Sequence, residues 1–252
     1  MNPSPKFHFC RALAAVSVGC ALLALSLVVV SFSGAAVARD LGRSSLPSAK
    51  QLINQTLSTM TGQSSVRLTI TSTDKSTKQT EKVTEDAGRS NGLESIDFGN
   101  ATASVRLTTE AAYISGNTLG LEKIVGLSSK GAKSVGTKWI TVAKGSSQFK
   151  GIVSGGTIGP LAKALLPTSS KSVSVKHVTL NGRDVFAMTW TQTSSSTKIN
   201  LSLDVASHGA SLPIQLTAIQ GSFTSITQFG KWGEHIDVPV PKSTIAYSKV
   251  PA

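Results

Sequence analysis

At 252 residues with 40% hydrophobic side chains, the chain is long enough to build a sizeable core and too apolar to stay disordered. Aromatic residues are only 5% and charged residues 15%, while Ser, Thr and Gly abound, which favours short strands and polar turns and excludes long charged helices. The formal charge is +12, yet the lysines are dispersed (Lys75, Lys78, Lys82; Lys123, Lys130, Lys133, Lys138) without a basic run or interleaved aromatics, which excludes a nucleic-acid platform.

The first segment is a leader. Lys6 and Arg11 precede an uncharged stretch from Ala12 to Ala38 that ends in "GAAVARD", with Ala36 and Ala38 at the small positions of an export cleavage site. Two fates are open: residues 1–38 are a signal peptide cleaved near Ala38, or residues 12–38 stay as an N-terminal signal anchor, the run being long enough to cross a bilayer. Either one predicts an exported chain, anchored at the cell envelope or secreted. Cys10 and Cys20 both lie in this leader, so the exported part has no disulfide and no thiol chemistry. "SVGC", Ser17 to Cys20, is a poor copy of a lipidation motif, because Ser17 stands where Leu is usual and the apolar stretch before it is short. With Lys6 and Arg11 set aside, 23 of the 25 basic residues face 13 acids, an excess of about ten. Outside the cytoplasm that diffuse field would draw the chain to phospholipid headgroups and acidic wall polymers, so a membrane surface is an expected neighbour.

Residues 39–47 read as a polar linker and 48–252 as one folded unit. Ser48 is the predicted N-cap of "AKQLINQTLSTMTG", where Leu52, Ile53, Leu57 and Met60 recur at helical spacing. "SVRLTITST" alternates as a strand with one apolar face, and 73–92 reads as a polar loop or a weak strand pair. Strands follow around Ile96, Val105 to Leu107, Tyr113, Trp139 and Val173 to Val175. "VTLNGRDVFAMTW" is a hairpin turning at Asn181 and Gly182, and strands through Ile199 to Leu203, "IQLTAIQG" and "SFTSITQFG" complete the series. Helical patterns interrupt it at two places only, "TLGLEKIVGL" and "GGTIGPLAKALLP". In the last segment Ile236, Val238 and Val240 alternate and Pro239 and Pro241 prevent further pairing, which predicts a closing edge strand, with Trp232 capping an edge or packing on the preceding turn. The fold class is α+β: a mainly antiparallel sheet with a few helices gathered on one face.

Motifs of chemistry are missing. His8, His177, His208 and His235 stand singly, without the spacing of a metal site; "GIVSGG" breaks the nucleophile-elbow pattern; "GGTIGP" lacks the Lys of a phosphate loop. Glu85 and Asp86 sit side by side in a polar stretch, and Asp184, Asp204 and Asp237 are scattered, so no carboxylate pair is nominated. No catalytic residue, metal or cofactor is expected, and the chain reads as a non-enzyme. Three short helices are few for about a dozen strand segments. If the sheet curves, it can enclose a hollow lined by Val66, Leu68, Ile70, Val105, Leu107, Trp139, Phe186, Met188, Trp190, Ile199, Leu201 and Leu203, suited to acyl chains. The plainer reading is that these side chains pack on one another.

The leader, the Ser48 helix, the strand series, "TKWITV" and the closing "FTSITQFGKWGEHIDVPVPK" together resemble the actinobacterial LppX/LprG lipoprotein family. The resemblance implies a LolA-like fold, a curved antiparallel half-barrel covered on its concave face by helices, and a noncatalytic role in binding or carrying a lipid or lipoglycan in an apolar cavity. One feature departs from the family: no cysteine follows Cys20 to carry the acyl anchor at the start of the mature chain. The alternative is a tethered interaction or sensory ectodomain that binds wall polymer or a partner protein.

Overall fold

The computed structural model describes residues 46–194 and 197–252. The leader, its cleavage or anchoring, Cys10, Cys20 and almost all of the linker lie outside the described residues. Twelve strands form one curved, unclosed sheet, in the spatial order Thr244–Ala246 (β12), Trp139–Ala143 (β6), Ala111–Gly116 (β5), Ala101–Leu107 (β4), Gly92–Phe98 (β3), Gln79–Gly88 (β2), Ser65–Asp74 (β1), Phe223–Gly230 (β11), Pro213–Gln220 (β10), Thr197–Ala206 (β9), Arg183–Ser194 (β8) and Ser174–Leu180 (β7), and five α-helices accompany it among the described residues.

Helix α1 (Ala49–Gly62) starts where the sequence predicts. The Ser48 side chain accepts from the Gln51 amide while the Gln51 side chain reaches back to the Ser48 backbone, a capping box that satisfies two otherwise unpaired donors. At the other end Arg89 donates to the Gly62 and Gln63 carbonyls. Leu52, Thr56 and Met60 form its buried stripe.

Strands β1 (Ser65–Asp74), β2 (Gln79–Gly88), β3 (Gly92–Phe98), β4 (Ala101–Leu107), β5 (Ala111–Gly116) and β6 (Trp139–Ala143) form an antiparallel meander. The stretch read as a loop or weak pair is therefore in large part β2, paired with β1 along its full length. Its alternation was hidden because the positions facing the core hold Glu81, Val83, Glu85 and Ala87, of which only Val83 is a large apolar residue.

Between β5 and β6 lie α2 (Thr118–Lys123) and α3 (Ser129–Val135), and after β6 come α4 (Ser147–Gly155) and α5 (Ile158–Leu165). Helices α3 and α4 correct the expectation of two helical interruptions. Their Gly, Ser and Lys content masks the period, and what starts them is a serine cap: Ser128 accepts from the Gly131 amide and Ser146 from the Phe149 amide.

The second half is a further meander of β7 (Ser174–Leu180), β8 (Arg183–Ser194), β9 (Thr197–Ala206), β10 (Pro213–Gln220) and β11 (Phe223–Gly230). The β7–β8 turn has positive φ at both central residues, Asn181 at 48° and Gly182 at 78°, as the Asn-Gly pair predicts. Strand β11 then pairs with β1, so the two meanders meet at a seam between segments far apart in sequence.

The expected closing strand through Ile236 and Val240 is not one. Residues 231–243 run as an extended strap across the ends of β1 to β6 with no ladder of their own. The strap is held mainly through its carbonyls. Ser64 and Ser65 donate to Gly233 and Glu234, Asn91 to Ile236, Arg106 to Pro239 and the Trp139 amide to Ser243, while the Gly233 amide donates to Ser65. Prolines suit such a segment, since it is used chiefly as an acceptor. Only then does β12 (Thr244–Ala246) pair with β6, in parallel, as the true edge. Trp232 stacks on Phe229, ring centroids 6.2 Å apart, and so packs on the strand before the turn.

Candidate functional site

The helices lie on one face of the sheet, and the side chains beneath them form one apolar cluster. Nine of the twelve expected lining residues belong to it. Val66, Leu68 and Ile70 of β1, Val105 and Leu107 of β4, Met188 of β8 and Ile199, Leu201 and Leu203 of β9 are each at most 4% exposed. Strand alternation places them on the same side, and the sheet's curvature brings β4 and β9 into one interior although five strands separate them. Phe186 and Trp190 share that face, pack on the cluster and remain partly exposed. Trp139 does not join them. Its neighbour Ile140 takes the inward position, and the Trp139 ring lies on the opposite face with the Arg106 guanidinium 4.2 Å from its centre.

Helices α4 and α5 are pinned at their junction. Gly88 at the end of β2 forms a parallel bridge with Thr157, which is buried. A Cβ on Gly92 would lie 2.8 Å from the Gly156 carbonyl oxygen and 2.9 Å from that of Asp86, so only glycine lets the junction approach β3 this closely. The glycine-rich stretch before α5 is thus a seat for the helices on the sheet.

Polar groups interrupt the apolar wall in two places. On β1 and β11 the buried Ser72 and Ser225 hydroxyls pair at 2.9 Å, beside buried Thr227. On β2 and β3, Glu85 and Glu94 stand directly opposite each other on the inner face. Glu85 is 5% exposed, and its Oε1 has no hydrogen-bond partner. The two carboxylates border a small cavity of about 20 Å³, closed by Val105 and Leu107 of β4 and by Ile152 and Gly156 above. Burial is the main force pushing the Glu85 carboxyl well above its ordinary value, with the charges of Glu94 and Asp86 adding to it. Glu94 is pushed up to about 7, by burial first and by Glu81 second. From the sequence Glu85 is read only as one of two adjacent acids in a polar stretch, and Glu94 passes unremarked, because β2 reads as polar. The signal was the register Val83, Glu85, Ala87, in which a carboxylate occupies an apolar position. Asp86 points to the other face and pairs with Arg67 through two hydrogen bonds of 2.6 and 2.7 Å.

The opposite face carries shallow open grooves. One of about 270 Å³ runs past Asp86, Arg106 and Trp139, and another of about 450 Å³ past Thr191, Asn200 and Ile219. Among the described residues no group of three or more His, Cys, Asp or Glu side chains is placed to hold a metal ion. Of the histidines, His177 packs against Phe186 at 5.7 Å. Among the described residues no helix is long and apolar enough to cross a membrane.

No protein-family model matches the sequence, nor does any curated protein. Solved structures with a similar chain course include LprF from Mycobacterium bovis, at 13% identity over 78% of this chain and 99% of that one, with a TM-score of 0.48. The Mycobacterium tuberculosis lipoprotein LppX is similar at 15% identity over 76% of this chain and 98% of that one, with a TM-score of 0.47. Both belong to the LppX/LprG lipoprotein family that the sequence resembles.

Proposed function

We propose that this chain is a noncatalytic cell-envelope protein that binds or carries a lipid or lipoglycan by burying its hydrocarbon between the curved sheet and the helices over it. The observation that supports this reading best is an apolar wall, Val66, Leu68, Ile70, Val105, Leu107, Ile199, Leu201 and Leu203, broken only at the Ser72–Ser225 and Glu85–Glu94 positions, under a cover made in part of two very short helices. At nine and eight residues, α4 and α5 are too short to persist on their own. Burial of Phe149, Ile152, Ile158, Leu161 and Leu165 holds them down. The cavity of about 20 Å³ beneath them has room for one water-sized group, so an acyl chain enters as this cover lifts. Each methylene then buried contributes about 0.8 kcal/mol, enough in a long chain to replace the helix contacts it displaces. Native mass spectrometry and organic extraction of protein purified from its own host test the reading. A stoichiometric co-purifying lipid is expected, and repeated absence of any lipid overturns it.

A second reading has its own observation. The inner cavity is small, whereas the opposite face offers open grooves with Arg106, Trp139 and Asn200 at their borders. A tethered ectodomain that binds wall polymer or a partner protein through that basic exterior fits this, and a salt-sensitive pull-down of polymer by lipid-free protein would favour it.

A further inference from the structure

We propose that Glu85 and Glu94 form a binding site for a primary ammonium group carried on an apolar chain. The inference rests on the lipid-binding reading for the chain and on local geometry for the ammonium. Two carboxylates face each other across an antiparallel pair, where side-chain roots are about 5 Å apart and like charges repel. One of their oxygens, Glu85 Oε1, is buried without a partner, and both residues line the cavity. A buried acceptor in that position is costly unless a donor arrives.

Among the described residues no side chain donates to Glu85 Oε1. Beside the pair lie Leu68 of β1, Val105 and Leu107 of β4 and Ile152 of α4, and the charged groups acting on it are Glu81 on the same strand face and Asp86 on the other. Asp86 is already engaged by Arg67. Five of the chain's 13 acids, Glu81, Glu85, Asp86, Glu94 and Asp97, fall on these two strands, so a basic protein carries its concentrated negative field here.

Size selects among donors. A space of about 20 Å³ admits an ammonium head and excludes a sugar ring or a trimethylated amine, and a phosphate would be repelled. Apolar walls at Val105, Leu107 and Ile152 then receive the first carbons of the chain.

Isothermal titration of the full-length protein at pH 8 with ethylamine, octylamine and octanol separates the contributions. Octylamine is expected to bind at least tenfold more tightly than octanol, and ethylamine weakly. Glu85→Gln and Glu94→Gln are each expected to weaken octylamine at least tenfold and leave octanol unchanged, with Glu110→Gln, an exposed acid, as the unaffected control. Circular dichroism confirms that the variants fold, which near-isosteric neutral replacements of buried acids favour. If octanol equals octylamine, or the Gln variants bind octylamine as wild type does, the ammonium site is overturned while the apolar reading stands. If none of the three binds, both fail. Displacement of octylamine by vesicles containing sphingosine, whose primary ammonium is borne on the hydrocarbon chain itself, but not by phosphatidylcholine alone, identifies a membrane lipid as the source. Retained octylamine binding without displacement identifies a free amine.

Discussion

Raising the pH from 4.5 to 8 is expected to weaken the fold through the Glu85–Glu94 pair. Glu94 titrates at about 7 in place of its ordinary 4.5, chiefly because burial disfavours its charge. An acid whose folded value is raised keeps, between those two values, a proton that the unfolded chain has already released. Its contribution is therefore whole below pH 4.5 and is lost as pH climbs through 7. At about 1.4 kcal/mol per pH unit, that interval makes roughly 3 kcal/mol for Glu94, an upper figure because the side chain keeps some contact with water. Glu85 is shifted in the same direction and adds to the slope. Urea unfolding at fixed pH between 4.5 and 8, for wild type and for the Glu85→Gln/Glu94→Gln double variant, isolates the pair from other titrating groups. The difference between the two curves should shift by roughly 2–3 kcal/mol in favour of the variant as pH rises. A difference that stays flat across that range would refute the assignment of two buried, mutually repelling acids.

Further expectations concern packing and backbone. Leu203→Ala, at a fully buried position on β9, should cost about 2–5 kcal/mol in denaturant unfolding, the spread reflecting how far the wall can collapse. Ser48→Ala breaks the capping box of α1 and should cost about 1 kcal/mol, while Gln51, its partner, should show a smaller loss when changed to Ala. Gly92→Ala forces a methyl against two backbone oxygens, so a loss of roughly 1–3 kcal/mol is expected, together with faster hydrogen exchange in α4 and α5 as their seat moves off β3. An unchanged exchange pattern in that variant would show that the junction is not what fixes the cover.

Much of the sheet was legible because alternation is strict wherever one face is apolar, as in Val66, Leu68 and Ile70 or Ile199, Leu201 and Leu203. The α1 start, the Asn181–Gly182 turn and the grouping of nine of the expected apolar residues in one buried cluster all follow from local chemistry acting as it does in isolation. Where reading failed, tertiary context had overridden the local signal. Strand β2 hid behind acids at core-facing positions, and those same acids are the most unusual feature of the interior. Helices α3 and α4 depend on a serine cap and on burial against neighbours rather than on propensity. The strap through Pro239 and Pro241 alternates like a strand, but its prolines remove two of the amide donors a ladder would need, and Asn91 of the β2–β3 turn and Arg106 of β4 take up its carbonyls. Trp139 was assigned by hydrophobicity, while register, fixed by Ile114 opposite Ile140, turns it to the other side.

The seam between β1 and β11 has a kinetic consequence. Ser72 meets Ser225, and Ser65 meets Glu234, across more than 150 residues, so the central strand cannot acquire its second neighbour until nearly all of the chain has been released. Closure of so long a loop is slow, and a refolding protein should pass through a state in which the first meander is formed but its β1 edge is bare and prone to pair with other copies. A truncation ending before Phe223 would hold the molecule in that state permanently, with β1 and β10 both exposed as edges.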